Sequence, residues 1–175
     1  MQKELLPEDN RTLVGEDTIF KDSLTDVYNR RYFFESGQLL YANALRKHLS
    51  IAVAMLAPDG FGRISDAYGR TAVLQHVARL LQKRFRQTDL VARFGSEAFC
   101  ILVSNMKTDT IPGIFEAVRA MMTDTSIDID SQVIRVTVSI GVCSQLKTSL
   151  EAMLDAADTR LDLAKQQGGN RVICS

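Results

Sequence analysis

The chain has no net charge, since 21 Lys and Arg balance 21 Asp and Glu over 175 residues. A neutral surface gives no bulk attraction to nucleic acid or to a membrane, so neither is expected as a partner. Long hydrophobic runs are absent as well, and no stretch approaches the roughly 18 apolar residues a membrane-spanning helix needs. The N-terminus lacks the basic-then-apolar order of a signal peptide. Cysteine is scarce. Cys100, Cys143 and Cys174 each sit in an apolar, strand-like run, odd in number and without metal-type spacing. They read as reduced core thiols of a cytoplasmic protein. There is no internal repeat and no low-complexity segment.

What is present is an ordinary globular composition, 46% hydrophobic and 24% charged, in a length that fits one domain with one sizeable core. The charge is unevenly spread. Phe61 to Arg93 carries seven Lys and Arg against two Asp, whereas Glu97 to Asp162 carries ten acids against five bases. A local basic region in a neutral protein suits a small anionic ligand, or is a solvated helix face.

Residues 1–20 are polar and irregular, broken by Pro7 and Gly15, and read as a leader or linker ahead of a domain over 21–175. Helical spacing predicts helices over 29–47, 61–68, 71–86, 112–123 and 149–167, the last stopped by Gly168-Gly169. Apolar or alternating runs predict strands over 50–57, 90–94, 97–104, 133–143 and 171–174. This β-α-α-β-β-α-β-α-β order implies an α+β fold: a mostly antiparallel five-stranded sheet flanked by helices, on a split β-α-β plan.

One hairpin carries the chemistry. In Arg93-Phe94-Gly95-Ser96-Glu97-Ala98-Phe99 a basic residue leads into a small-residue turn with a single carboxylate, Glu97, followed by an apolar run. Upstream stand Asp22-Ser23-Leu24-Thr25-Asp26-Val27-Tyr28-Asn29-Arg30-Arg31 and Ala57-Pro58-Asp59-Gly60-Phe61. Downstream stand Val136-Thr137-Val138-Ser139-Ile140-Gly141, Ala157-Asp158, Ala164-Lys165 and Gly168-Gly169-Asn170-Arg171-Val172. In this order and spacing, over about residues 22–173, the segments resemble the GGDEF diguanylate cyclase family, of nucleotide-cyclase (palm, ferredoxin-like) type. Its signature Gly-Gly-Asp/Glu-Glu-Phe reads here Gly95-Ser96-Glu97-Ala98-Phe99.

The resemblance implies an activity and also what is missing from it. Family enzymes condense two GTP into cyclic di-GMP, using divalent ions held between carboxylates and phosphates. Here the leading metal carboxylate of the first strand is Ala57 and the second acid of the signature is Ala98. Asp59, Glu97 and Lys165 are the remnants, Asp59 being equally a turn residue beside Gly60. The base-reading Asn position holds Ser65, whose hydroxyl cannot copy a two-sided amide. The loop after Gly69-Arg70 is about three residues short, and the Arg of the Gly-Arg-Asn pattern is Gly169. Together these departures argue against GTP cyclisation; no catalytic residue and no metal ligand is expected, with magnesium needed only by a residual cyclase.

A different motif is intact. Arg86-Gln87-Thr88-Asp89, five residues ahead of Gly95, matches the family's Arg-x-x-Asp product-binding site. An Arg fork can meet the O6/N7 edge of guanine or a phosphate, and an Asp can accept from N1 and N2. A turn after the long helix is expected to hold both side chains outward. Arg46 is the candidate cross-domain contact, Arg93 a source of charge, and the secondary Arg position appears as Ala117 with Arg119 nearby. The favoured reading is a degenerate domain that senses cyclic di-GMP through Arg86 and Asp89, with the ligand joining two copies in a homodimer. The alternatives are a residually active cyclase using Asp59 and Glu97, and a non-binding scaffold that docks a phosphodiesterase or PilZ-type partner.

Overall fold

A computed structural model of the chain describes residues 19–175, so the expected leader lies outside the described residues save for its last two positions. Helix α1 (Arg30–Lys47) starts where the Asn29 side chain accepts the Tyr32 amide at 2.9 Å, a side-chain N-cap. It is followed by β1 (Ile51–Pro58), α2 (Phe61–Tyr68), α3 (Arg70–Arg84), β2 (Leu90–Arg93) and β3 (Phe99–Ser104). Then come α4 (Ile111–Asp124), β4 (Ser126–Ile129), β5 (Gln132–Arg135), β6 (Val138–Cys143), α5 (Leu150–Gln166) and β7 (Val172–Cys174).

The main sheet has the order β2-β3-β1-β6-β7, antiparallel throughout except for the parallel pair β6–β7. The fold is therefore α+β, with helices on both faces. Every residue of the central strand β1 is buried, which explains its continuous apolar run. Ala52, Ala54 and Leu56 face Val73, Leu74 and Val77 of α3 and Phe115 and Val118 of α4. Val53, Met55 and Ala57 face Phe33 and Tyr41 of α1 and Leu150, Leu154 and Leu161 of α5. Helix α5 lies directly on β6, because a Cβ at Gly141 would come within 2.1 Å of the Ala157 carbonyl oxygen and 2.2 Å of the Leu161 nitrogen.

Three sequence expectations change. The strand over 133–143 is two strands: β5 pairs with β4 in a separate hairpin, and only β6 joins the main sheet. The break falls where β1 ends opposite Val138 and the chain turns at Asp59, whose amide donates to the Thr137 carbonyl. Strand β4 was not expected, although Ile127 and Ile129 alternate with polar neighbours ahead of a two-residue turn. That turn, Asp130-Ser131, has positive φ at both residues (52° and 64°), the geometry of a tight hairpin. Finally, Cys100 and Cys143 are core thiols but Cys174 is only half-buried, packed at the short edge strand β7. Burial pushes the Cys100 thiol well above its ordinary pKa, so it stays protonated.

Candidate functional site

At the C-terminal end of β1, Asp59, Arg63, Glu97, Lys165 and Gly169 line one open cleft of about 590 Å³. The three remnants named from sequence are thus together, but their charges are engaged. The Asp59 carboxylate accepts from the Thr137 hydroxyl (2.7 Å), the Ser139 hydroxyl (2.6 Å) and the Asn170 amide (2.8 Å). Half-buried at the cleft wall, it ties the start of β6 to the turn after α5. Glu97 sits 3.9 Å from the Lys165 ammonium. Ala57 is fully buried among core side chains. Ser65 donates its hydroxyl back to the Gly62 carbonyl of its own helix at 3.0 Å.

Magnesium, implied by the resemblance, does not fit this donor set. It needs several hard oxygens in near-octahedral order. The cleft has two carboxylates: Asp59 already accepts three hydrogen bonds, and Glu97 lies beside the Lys165 ammonium. Among the described residues no group of three or more acidic, His or Cys side chains is gathered to hold a metal.

The Gly95-Ser96-Glu97 turn is held firmly. Arg93, with a side chain only 13% exposed, donates to the Gly95 carbonyl (3.2 Å) and the Ser96 carbonyl (2.8 Å) and pairs with Asp22 at 3.2 Å. Arg70 donates to the same Ser96 carbonyl. Asp22 also accepts from the Thr25 amide and hydroxyl at 3.0 and 2.6 Å. Burial works to raise the Asp22 pKa, but the hydrogen bonds from Thr25 and Arg93 and the Arg93 charge outweigh it and hold the carboxyl below its ordinary value. The opening Asp-x-Leu-Thr motif is thus a latch on the turn, and Arg93 serves that latch.

Arg86 and Asp89 follow α3 in a turn closed by the Asp89 amide on the Arg86 carbonyl at 3.0 Å. The helix ends at Arg84, two residues short of expectation, which frees this turn. The two side chains meet, but not both outward. The Asp89 side chain is 1% exposed and accepts from the Arg86 backbone amide (3.0 Å) and guanidinium (3.3 Å). The Arg86 side chain is 53% exposed and also touches the Ser104 carbonyl at 3.2 Å. Both border a cavity of about 430 Å³, lined also by Lys21, Tyr28, Gln82 and Gln87.

Arg46 and Arg93 do not line that cavity. Arg46 is exposed near the end of α1, 3.3 Å from the Asn43 side chain. Ala117 is exposed, and Arg119 is engaged by Glu116 and by Asn170 at 2.8 Å. Sequence reasoning missed Arg63 in the cleft and Lys21 and Tyr28 beside Arg86. The position of Arg63, two residues after Phe61, was the available signal for the first. Nothing local signals that Lys21 and Arg86 border one cavity.

A family profile described as "Diguanylate cyclase, GGDEF domain" matches residues 19–171. The chain belongs to the GGDEF family. Among curated GGDEF relatives it is 32% identical over 162 residues to "Diguanylate cyclase A" of Treponema denticola, covering 88% of this chain and 44% of that protein. It is 33% identical over 171 residues to "Diguanylate cyclase DgcM" of Escherichia coli K12, covering 91% of this chain and 39% of that protein. The chain therefore spans less than half the length of these relatives. Among solved structures it resembles the coiled coil and GGDEF domain of DgcB from Caulobacter crescentus in complex with c-di-GMP. That match has TM-score 0.87 at 23% identity, covering 93% of this chain and 89% of that one. It also resembles diguanylate cyclase SiaD from Pseudomonas aeruginosa in complex with its activator SiaC, at TM-score 0.85 and 26% identity, over 93% of this chain and 64% of that one. No helix among the described residues is long and apolar enough to cross a membrane.

Proposed function

We propose that this GGDEF domain does not cyclise GTP and instead binds cyclic di-GMP through Arg86 and Asp89, in the cytoplasm and without a metal. The reading is carried by one contrast between two corners. In the cleft, Asp59 is consumed by three hydrogen bonds and Glu97 stands alone beside Lys165. At the other corner a half-exposed guanidinium borders a cavity of nucleotide scale with a carboxylate beneath it. A phosphoryl transfer between two triphosphates requires charge neutralisation that the first corner lacks. Holding a finished dinucleotide requires only a fork and an acceptor, which the second corner has.

Ligand engagement of Asp89 needs Arg86 to swing from its own carboxylate towards the guanine edge. An internal ion pair is given up for charge-assisted hydrogen bonds to a neutral base, which offsets part of the gain from binding. The DgcB complex with c-di-GMP lends support by its shared fold. Arg46 of a second copy would reach the ligand from outside, giving a ligand-bridged homodimer. The competing reading is a scaffold that binds no nucleotide and docks a phosphodiesterase or PilZ-type protein.

The test is calorimetric titration of cyclic di-GMP and of GTP, with and without magnesium or manganese. A micromolar or tighter constant for cyclic di-GMP, lost in Arg86→Ala, and no dinucleotide made from GTP are expected. A folded protein that gives no binding heat overturns the reading. Synthesis of cyclic di-GMP that disappears in Glu97→Ala would put the cyclase in its place.

A further inference from the structure

The cavity beside Arg86 has a second cation, and it comes from the start of the domain. Lys21 lines the cavity, half-buried, with its ammonium 4.2 Å from the centre of the Tyr28 ring. That ring is on a rigid mount: it stacks on Tyr32 at 4.1 Å and 23°. The Tyr28 backbone donates to the Val91 carbonyl at 3.1 Å and bridges to Ala92 of β2, and Lys21 bridges to Tyr28. Gln82 ties the same segment to α3 by donating to the Asp26 carbonyl at 3.1 Å. A lysine is ordinarily a mobile point charge on a four-carbon stem. Here the aromatic face and the bridged backbone hold its head at one wall.

The electrostatics follow from who pairs with whom. Asp89 is bound to Arg86, and no carboxylate among the described residues lies in ion-pair contact with Lys21. The charged side chains lining the cavity are Lys21, Arg86 and Asp89, an excess of one positive charge. The position where a secondary Arg would be sought is the exposed Ala117, and Arg119 is turned to Glu116 and Asn170.

We infer that Lys21 is the second cation of the Arg86 site, holding a phosphate of the bound dinucleotide from within the same copy of the domain. The inference rests on the cyclic di-GMP reading of Arg86. Arg86 meets the guanine edge and Lys21 the phosphodiester, so the site distinguishes a dinucleotide from a lone base or a free phosphate. A single chain then carries the minimum contact set, and Arg46 of a second copy adds affinity without being required.

The experiment titrates cyclic di-GMP, guanosine and inorganic phosphate against the wild type, Lys21→Met and Lys21→Arg at several salt concentrations, with thermal melts to verify folding. Lys21→Met keeps the aliphatic packing on Tyr28 and removes only the charge. It is expected to weaken cyclic di-GMP about tenfold and to reduce the salt slope of log Kd by about one counterion. Lys21→Arg should recover to within about threefold, since it restores the charge. Guanosine and phosphate alone should bind at least about a hundredfold more weakly than cyclic di-GMP, and Lys21→Met should leave guanosine binding unchanged. Wild-type binding that Lys21→Met leaves unaltered in affinity and salt slope overturns the inference while the Arg86 reading stands. So does a Lys21→Arg variant as weak as Lys21→Met. A wild type that binds none of the three overturns the Arg86 reading itself, and this inference with it.

Discussion

Asp59 and Gly169 exclude each other's alternatives: a Cβ placed at Gly169 would lie 2.8 Å from the Asp59 Oδ1 and 2.9 Å from its carboxyl carbon. Gly169 also has φ +73°, where a side chain is strained. The Asp59 carboxylate can close over this turn and reach the Asn170 amide only because position 169 has no side chain.

Two variants test that clasp. Gly169→Arg should lower stability by roughly 2 kcal/mol through left-handed strain and displacement of Asp59. Asp59→Ala should cost about 2–3 kcal/mol, because it removes charge-assisted bonds and leaves the fully buried Ser139 without its acceptor. Denaturant melts decide; unchanged midpoints would mean that Asp59 is free for other chemistry.

The contact of α5 with β6 gives a sharper structural prediction. Gly141→Ala drives a methyl into helix backbone that cannot yield, at 2.1 Å from the Ala157 oxygen. Overpacking of this kind costs about 3 kcal/mol or more. Urea unfolding should show it, and because α5 carries Lys165 the cleft should loosen as well.

Acid sensitivity should report the Asp22 latch. Its folded pKa is lowered from an ordinary 3.8, so its stabilisation is present above that value and lost as pH falls through the folded one. Asp22→Asn should therefore be less stable than wild type at neutral pH, by about 1 kcal/mol, and the gap should close below pH 3.8. Thermal midpoints measured across that range check it; a gap that persists unchanged in acid would contradict the latch.

Magnesium provides a fourth test. A ligand that binds only the native state raises its melting point by mass action. With Glu97 alone beside Lys165, millimolar magnesium should leave the wild-type midpoint where it is. Ala57→Asp, which adds a carboxylate at the end of β1, should not create a magnesium site either. Ala57 is 0% exposed, so the new carboxylate enters the core at a cost of about 3 kcal/mol.

The five helices, to within a residue or two at their ends, and the central strand were readable in advance because they depend on neighbours in the chain. Asn29 caps α1 through a residue three positions on, and β1 is apolar at every position because both its faces are covered. The β4–β5 hairpin was missed because its strands are four residues each and β5 runs almost directly into β6 in sequence. The family resemblance likewise rests on ordered local motifs, and the match over residues 19–171 agrees with it.

By itself the amino-acid order determined which residues are available: one carboxylate at the signature turn, an Arg and an Asp after α3, glycines where backbone must approach backbone. Only the tertiary structure decided what those groups are bound to. Asp59 meets an amide 111 positions away, Arg93 a carboxylate 71 positions away, and Lys21 comes to share a cavity with Arg86. The physical reason is that capping and periodicity act over a few residues, whereas a charge takes whichever partner the fold brings within hydrogen-bonding reach.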